Sequence, residues 1–286
     1  MITNIERLVK LSLQGEIKHP VTANPYYISK EGTVSTLPAM GGITYNVKVG
    51  DPAFGWAADH VEPGVTMKNE EQVANDALNL LACIGNEAVA VSGDAKGTKG
   101  YVTGTHGGVE HVIVHFDQNL DKMLIGDKIL VKGHGQGLKL EDYPLVKISN
   151  IDPVLFSLLG IKEGQGKLKV PVAGIVPSYL MGSGIGDASC SRGDYDITTT
   201  DMEEVRRNGL ASLRLGDLVM LKDCDNSYGR AYLKGAVSIG IVIHGDSVRM
   251  GHGPGVTTIM TCKEGLIEGM ITSGANISNY MRKGTG

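Results

Sequence analysis

The chain has 286 residues, 42% of them hydrophobic and 20% charged, which is enough apolar material for one large or two medium packed domains. Its net charge is −4 with no basic run, which argues against a nucleic-acid surface. No segment approaches the roughly 18–20 apolar residues of a membrane span, and the N-terminal stretch MITNIERLVKLSLQG lacks the apolar core of a signal peptide, so no membrane contact is expected.

In chain order, the first predicted strand is 44–48 (TYNVK). Residues 70–84 (EEQVANDALNLLACI) predict a helix: Val73, Ala77, Leu80, Leu81 and Ile84 recur at helical spacing, with Asn69 as N-cap and Gly85 as stop. Strands follow at 88–92, 111–116 and 128–132. A short helix fits 152–159, where Asp152 suits the N-cap and Pro153 the first helical position. Next come a strand at 168–176, a third helix at 201–208 capped by Thr200 or Asp201 and stopped by Gly209, and strands at 217–222, 236–243 and 256–261. This pattern predicts a mainly β chain, barrel-like or sandwich-like, with a few short helices; a β-rich α+β arrangement is the variant.

Glycine is the outlier, at 40 residues, about double the usual frequency near 7%. There is no Gly-X-Y period, and apolar segments separate the glycines, so neither collagen nor a disordered linker fits. Tight turns and loops that wrap a ligand are expected instead. The four cysteines, at 83, 190, 224 and 262, form no C-x-x-C pair, which fits reduced thiols in a cytoplasmic protein. The phrases LIGDKILVK (124–132) and LRLGDLVMLK (213–222) are alike: they mark either two related barrel halves or a shared turn-to-strand device. A boundary near 150–165 would give β-rich domains at 1–150 and 151–286, unless the whole is one compact unit.

Four stretches carry candidate chemistry. In 55–66 (GWAADHVEPGVT), Asp59, His60 and Glu62 lie in one loop, as a divalent-metal site, an acid–base pair or a polar turn that caps the next helix. In 100–117, His106 sits in a glycine-rich turn and His111 begins the following strand, both as ligand-binding candidates at a loop end. His115, four residues on along the strand, reads as a packing or surface residue. In 181–201, the G-x-G-x-G is followed by loop rather than helix and is not a dinucleotide fingerprint. Its Gly182, Ser183, Gly184 and Arg192 can still cradle an anion, and Asp194 and Asp196 alternate onto one face. In 242–260 (VIHGDSVRMGHGPGVTTIM), His244, Asp246, Arg249 and His252 lie between two apolar runs. The ligand set expected for a divalent ion, zinc or similar, is Asp59, His60, His244 and Asp246, with His60, Asp196 and His252 as catalytic residues. His19 and His115 are expected outside that cavity, and His134 is left open.

The phrases WAADHVEPGV (56–65), CIGNEA (83–88), THGGVEHV (105–112), GQGLKL (135–140), MGSGIG (181–186), DYDI (194–197), LRLGD (213–217) and GHGPGVTT (251–258) resemble, over nearly the whole chain, a bacterial domain of unknown function family numbered 4438. That resemblance implies no established activity. A fainter one is to the acetamidase/formamidase family, in the order Gly193–Asp196, Leu213–Asp217, apolar 236–243, Gly245-Asp246 and Gly251–Gly253. Val248 stands where that family has the histidine of G-D-x-H, and His252-Gly-Pro-Gly replaces its G-D-G-E. Only Asp196 and Asp246 therefore have counterparts in its metal site. The function expected is a metal-assisted hydrolase of a small amide or related C–N bond. The alternatives are a non-catalytic binder of a small anionic metabolite and an oligomeric β scaffold. The expected partners are a small molecule and further copies of the chain, as a homo-oligomer.

Overall fold

Six antiparallel strands close into a barrel: Leu11–Ile17, Gly64–Lys68, Glu87–Ala90, Lys99–His106, His111–Phe116 and Lys128–Gly133. Leu11–Ile17 pairs with Lys128–Gly133 along one edge and touches Gly64–Lys68 on the other, which closes the ring. The structure, a computed structural model, describes residues 1–22 and 26–281. Within the barrel, alternate residues turn inward as strand geometry requires. Leu13, Ile17, Met67, Val102, Val114 and Ile129 meet there, each no more than 9% exposed.

The second layer is a sheet in the order Lys147–Ile148, Gly255–Cys262, Ala231–Val242, Leu218–Asp225 and Gly174–Pro177, with the last pair parallel. Tyr195–Asp196 pairs with the start of Gly255–Cys262, so Asp196 lies opposite Gly255. Both faces of this sheet are covered. Leu218, Ile239, Ile241 and Ile259 pack toward one apolar cluster, Val219, Leu221, Val242 and Val256 toward another. Every residue of Gly255–Cys262 is buried as a result. Barrel residue Ile113 belongs to the first of these clusters, so the two layers share a core. The strands Lys162–Gly164, Lys167–Val172 and Ile267–Ile271 form a third small sheet, and Tyr27–Ile28 pairs with Val34–Ser35.

Strand makes up 37% of the chain and helix 14%, so the mainly β expectation holds and its barrel form is realised. The helix expected at 70–84 is shorter, Gln72–Leu81, and starts at Glu71 rather than Asn69. Asn69 instead spends its amide on Gln14 O and Ala74 O. The buried face of this helix is also different: Leu78 packs into the barrel with Asn75 and Asn79 beside it, while Val73 is 72% exposed. The helix Pro153–Leu158 begins as read, with Asp152 Oδ1 accepting from Val154 N and Leu155 N. Asp201 likewise caps Met202–Arg207. The strand expected at 168–176 is two strands in different sheets, and of 44–48 only Thr44 is in a strand, the two-residue Ile43–Thr44. Among the described residues, no helix is long and apolar enough to cross a membrane.

The layers meet most tightly at Gly104. A Cβ there would lie 2.5 Å from Ile243 Cβ and Cγ2, inside any normal contact. Gly104→Ala is therefore expected to destabilise the fold by about 1–3 kcal/mol through overpacking. Urea unfolding should show a lower midpoint at unchanged slope, and an unchanged midpoint would mean that the seam is looser than described.

Candidate functional site

Four loops meet at one end of the barrel–sheet seam. Residues 59–62 run between the loop around Asp51 and the strand Gly64–Lys68. They are stitched to 244–246 by His60 N→Asp246 O (3.1 Å) and Gly245 N→Val61 O (3.0 Å). His60 holds a left-handed backbone (φ 54°), uncommon for a residue with a Cβ and a form of strain that clusters at functional sites. His106 and His111 are cross-strand partners at the mouth of the Lys99–Phe116 hairpin. The turn between them is held by the helix Gln72–Leu81, whose Asn75 and Asn79 amides donate to Glu110 O. Pairing with Gly255–Cys262 fixes the strand Tyr195–Asp196. Alternation then sends Tyr195 into the core and Asp194 and Asp196 toward the histidines.

Two three-residue groups result. In the outer one, His60 Nε2 lies 3.0 Å from His252 Nδ1 and 3.5 Å from Asp196 Oδ2, and His252 Nδ1 lies 3.0 Å from Asp196 Oδ2. In the inner one, His244 Nε2 lies 2.9 Å from Asp194 Oδ2, and His106 stacks on the His244 ring at 4.2 Å between centroids. Within each group the donor atoms fall within 4.8 Å of one another, close enough for one metal ion. Asp196 joins the groups, since its Oδ1 is 3.7 Å from His244 Nε2.

A second tier of acceptors holds the rings. Asp59 Oδ1 is 3.0 Å from His60 Nδ1 and also accepts from Ser247 Oγ (2.6 Å). Glu62 takes Nδ1 of both His106 and His111, and the Thr66 hydroxyl donates to its other oxygen. His244 Nδ1 contacts Gly245 O at 2.8 Å. His60 Nδ1 faces Asp59 without a hydrogen bond of acceptable direction, and His244 Nδ1 also accepts from the Gly255 N–H at 3.3 Å, whereas His106 has Nδ1 held by Glu62 and Nε2 left over. This is the arrangement found around metal-ligating histidines, where an outer oxygen fixes tautomer and ring direction.

A cavity of about 460 Å³ opens onto the outer group. Asp59, His60, His106, Asp194, Asp196 and His252 line its floor, and Tyr27, Ser183, Arg230 and Arg249 its walls. Charge in the floor is strongly coupled. Burial opposes a charge on His60, but Asp196 and Asp59 outweigh it and push its pKa up to about 9. Burial raises Asp59, yet His60 pulls it down to about 2. Despite their burial, histidines also hold Glu62, Asp194 and Asp196 below the usual carboxylate range. Burial and the neighbouring His244 push His106 down, whereas Asp194 overcomes burial to raise His244.

The structure brings together Asp59, His60, His106, His111, Asp196, His244 and His252. His111 stands behind Glu62 rather than at the cavity, and Asp59 stands behind His60. Three expected site residues lie elsewhere. Asp246, expected as a metal ligand, is occupied by Thr199 Oγ1 (2.6 Å), Ser247 N (2.7 Å) and the Lys30 ammonium (3.7 Å). Arg192 turns out to a 2.5 Å ion pair with Asp76. Gly182 supports the site without lining it, donating N–H to Asp196 O. Ser183 and Gly184 do line the cavity. His19 is exposed, His115 pairs with Asp117, and His134 faces Asp152 at 3.9 Å, all outside the site. Glu62 and Asp194 belong to the site although they were not among the expected ligands. The Asp194/Asp196 alternation was their visible signal for the second. Tyr27 and Arg230 gave none.

Family models for the domain of unknown function DUF4438 match the chain, the N-terminal model over residues 26–157 and the C-terminal model over 158–281. The chain belongs to this family. Among solved structures, it is similar to the protein described as "Crystal structure of TM1086", with 53% identity and a TM-score of 0.94 over 98% of this chain and 99% of the other. No curated protein sequence matches.

The buried ion pairs set a pH window for chelator-treated protein. Asp59, Glu62, Asp194 and Asp196 have lowered folded pKa values. Their stabilisation is present above the unfolded carboxylate value near 4 and is lost as pH falls through the folded values. His60 has the opposite sign: its contribution is complete below 6.5 and lost as pH rises to about 9. The Tm should fall on both sides of this window, and a Tm flat from about pH 3 to 9 would contradict the pairing.

Proposed function

We propose that this protein is a metal-dependent hydrolase of a small amide or related C–N bond, with a divalent cation, zinc or similar, at His60, Asp196 and His252. The carrying observation is the triangle of His60 Nε2, Asp196 Oδ2 and His252 Nδ1, with edges of 3.0, 3.0 and 3.5 Å at the floor of an open cavity. Tetrahedral bonds of 2.0–2.1 Å imply edges of roughly 3.3 Å between ligand atoms, so these three atoms already stand about where a zinc ion requires them. A tight imidazole–imidazole–carboxylate contact also needs a positive charge to hold it together.

A cation bound there would supply Lewis acidity, lowering the pKa of water and polarising a carbonyl. The protein's own groups do the rest. Asp59 keeps the His60 ring turned with Nε2 toward the cavity. Burial and Asp59 push the Tyr27 hydroxyl up to about 12, so it stays protonated as a hydrogen-bond donor. The hydroxyl oxygen is buried and makes no hydrogen bond of acceptable direction, although Asp59 lies near it, which suits it to a substrate oxygen. Hydrolysis puts the water oxygen on the carbonyl carbon and one of its protons on the departing nitrogen. Asp194 and Asp196 border the space where that proton moves. Four free, buried cysteines support a reducing, cytoplasmic setting. Exposed Tyr232 and Leu233 at the start of Ala231–Val242, with exposed Tyr228 in the turn before it, support a homo-oligomer.

Arg230 and Arg249 in the cavity wall favour one other reading, a binder of a small anionic metabolite without turnover. Metal content and ammonia release from a panel of small amides separate the two. Purified protein should carry or rebind at least one equivalent of zinc, and a chain that does neither ends the metal reading. His252→Ala and Asp196→Asn should abolish measurable turnover, whereas Asp59→Asn, acting through His60, should lower metal affinity or activity by about 10–100-fold. Tyr27→Phe should cost about fivefold in activity, the worth of one hydrogen bond near 1 kcal/mol. An unchanged rate would remove Tyr27 from the site.

A further inference from the structure

We propose that a second divalent cation binds deeper in the seam, at His106, Asp194 and His244, with the Asp196 carboxylate linking it to the outer ion. This rests on the outer site only in that the two share Asp196. Three independent observations carry it.

The first is a pair of buried polar atoms without hydrogen bonds. His244 Nε2 and Asp194 Oδ2 are 2.9 Å apart and wholly buried, yet neither makes a hydrogen bond of acceptable direction to any group. The other ends of both groups are already satisfied. His244 Nδ1 lies between Gly245 O at 2.8 Å and the Gly255 N–H at 3.3 Å, so backbone groups occupy that side of the ring and Nε2 has only Asp194 before it. Asp194 Oδ1 takes the Gly107 N–H at 2.7 Å, which leaves Oδ2 bare as well. A ring nitrogen and a carboxylate oxygen left without hydrogen bonds in a dry interior need a positive charge between them, which a metal ion would supply.

The second observation is what lets the two donors meet. Gly255 runs alongside, and a Cβ on it would lie 2.0 Å from Asp194 Oδ2 and 2.2 Å from His244 Nε2, far inside any normal contact. Only glycine allows both donors to close up against this backbone, and any larger residue would push them apart.

The third is the supply of further ligands. Glu62 holds His106 Nδ1, so its Nε2 is the remaining donor, and its ring stacks on His244 at 4.2 Å. Asp196 presents Oδ2 to the outer histidines at 3.0 and 3.5 Å and Oδ1 to His244 Nε2 at 3.7 Å. A carboxylate with one oxygen on each group is what a paired site needs, since two-metal hydrolytic centres hold their ions roughly 3.5–4 Å apart. The rival arrangement is a metal-free imidazolium–carboxylate pair.

Chelator-stripped full-length protein, titrated with Co²⁺ alone and dialysed, decides between them by elemental analysis and electron paramagnetic resonance. Two equivalents are expected, and the signal per cobalt should fall as the second fills and the linked ions couple. His106→Ala and Gly255→Ala should each retain one equivalent, and His252→Ala combined with either should retain none. If one variant fails to fold, the other and the wild-type count still decide. One equivalent in the wild type, lost in His252→Ala and kept in His106→Ala, overturns the inner site and leaves the hydrolase reading standing. No equivalent overturns both. Two equivalents that survive both His106→Ala and Gly255→Ala place the second ion elsewhere and overturn this assignment.

Discussion

Four carboxylates, Asp59, Glu62, Asp194 and Asp196, lie between 1% and 6% exposed in one seam of the molecule. A buried charge is tolerated only when it is paired and hydrogen-bonded, and taking away one partner of such a pair costs roughly 3–5 kcal/mol. The local architecture answers that constraint. Histidines from three separate loops face the four carboxylates, and backbone N–H groups at Gly107 and Gly253 reach Asp194 and Asp196. The Ser247 and Thr66 hydroxyls meet Asp59 and Glu62. No single loop can satisfy its own charges. Folding of the barrel and of the second sheet is therefore coupled at this point, and the division of the chain into N- and C-terminal family models at residue 157 does not divide the site.

The same constraint gives direction to each imidazole. A histidine whose Nδ1 faces Asp59, Glu62 or a backbone carbonyl turns its Nε2 the other way, inward. Three such rings from different loops give a set of nitrogens aimed at common points. His252 differs: it offers Nδ1, its ring is the most exposed of the group, and it sits where the cavity meets the floor. All three residues of the inner group are buried, whereas the outer group has the partly exposed His252. That asymmetry is the one known from metal proteins, where closed donor sets hold an ion in place and open ones leave room for water or substrate.

Much of this was legible in the sequence, for physical reasons that differ by element. The strands His111–Phe116 and Lys128–Gly133 and the capped helix Pro153–Leu158 carry local signals, apolar alternation and an Asp-Pro start, and were found within a residue or so. Leu11–Ile17, Lys99–His106 and Ile267–Ile271 were not read as strands, because glycines 15, 100, 104 and 269 interrupt their apolar pattern. Those glycines answer to neighbours distant in sequence, such as Leu78 beside Gly15 and Ile243 beside Gly104. The convergence of the loop histidines was legible because imidazoles flanked by glycines and carboxylates have little reason to occur at ordinary turns. Which carboxylate meets which histidine was not. Asp246 follows His244 by two residues, yet a turn at Gly245 sends it toward Thr199 and Lys30, while Asp194 arrives from fifty residues away through strand pairing.

The glycine content finds its explanation in the same place. Turn chemistry accounts for the many glycines with positive φ that have nothing near them, such as Gly97, Gly166 and Gly186. Around the seam the reason is room. A Cβ on Gly182 would strike Gly251 O at 2.2 Å, one on Gly253 would strike Ile197 O at 1.9 Å, and one on Gly193 would lie 2.9 Å from Gly107 Cα. These glycines let four loop backbones approach within van der Waals contact of one another. Only backbones packed that closely can bring Asp194, Asp196, His244 and His252 into a space a few ångströms wide without side chains filling it. The loops rich in glycine and the loops rich in histidine are therefore the same loops for a single reason: the donors must converge, and everything between them must be as small as the chain allows.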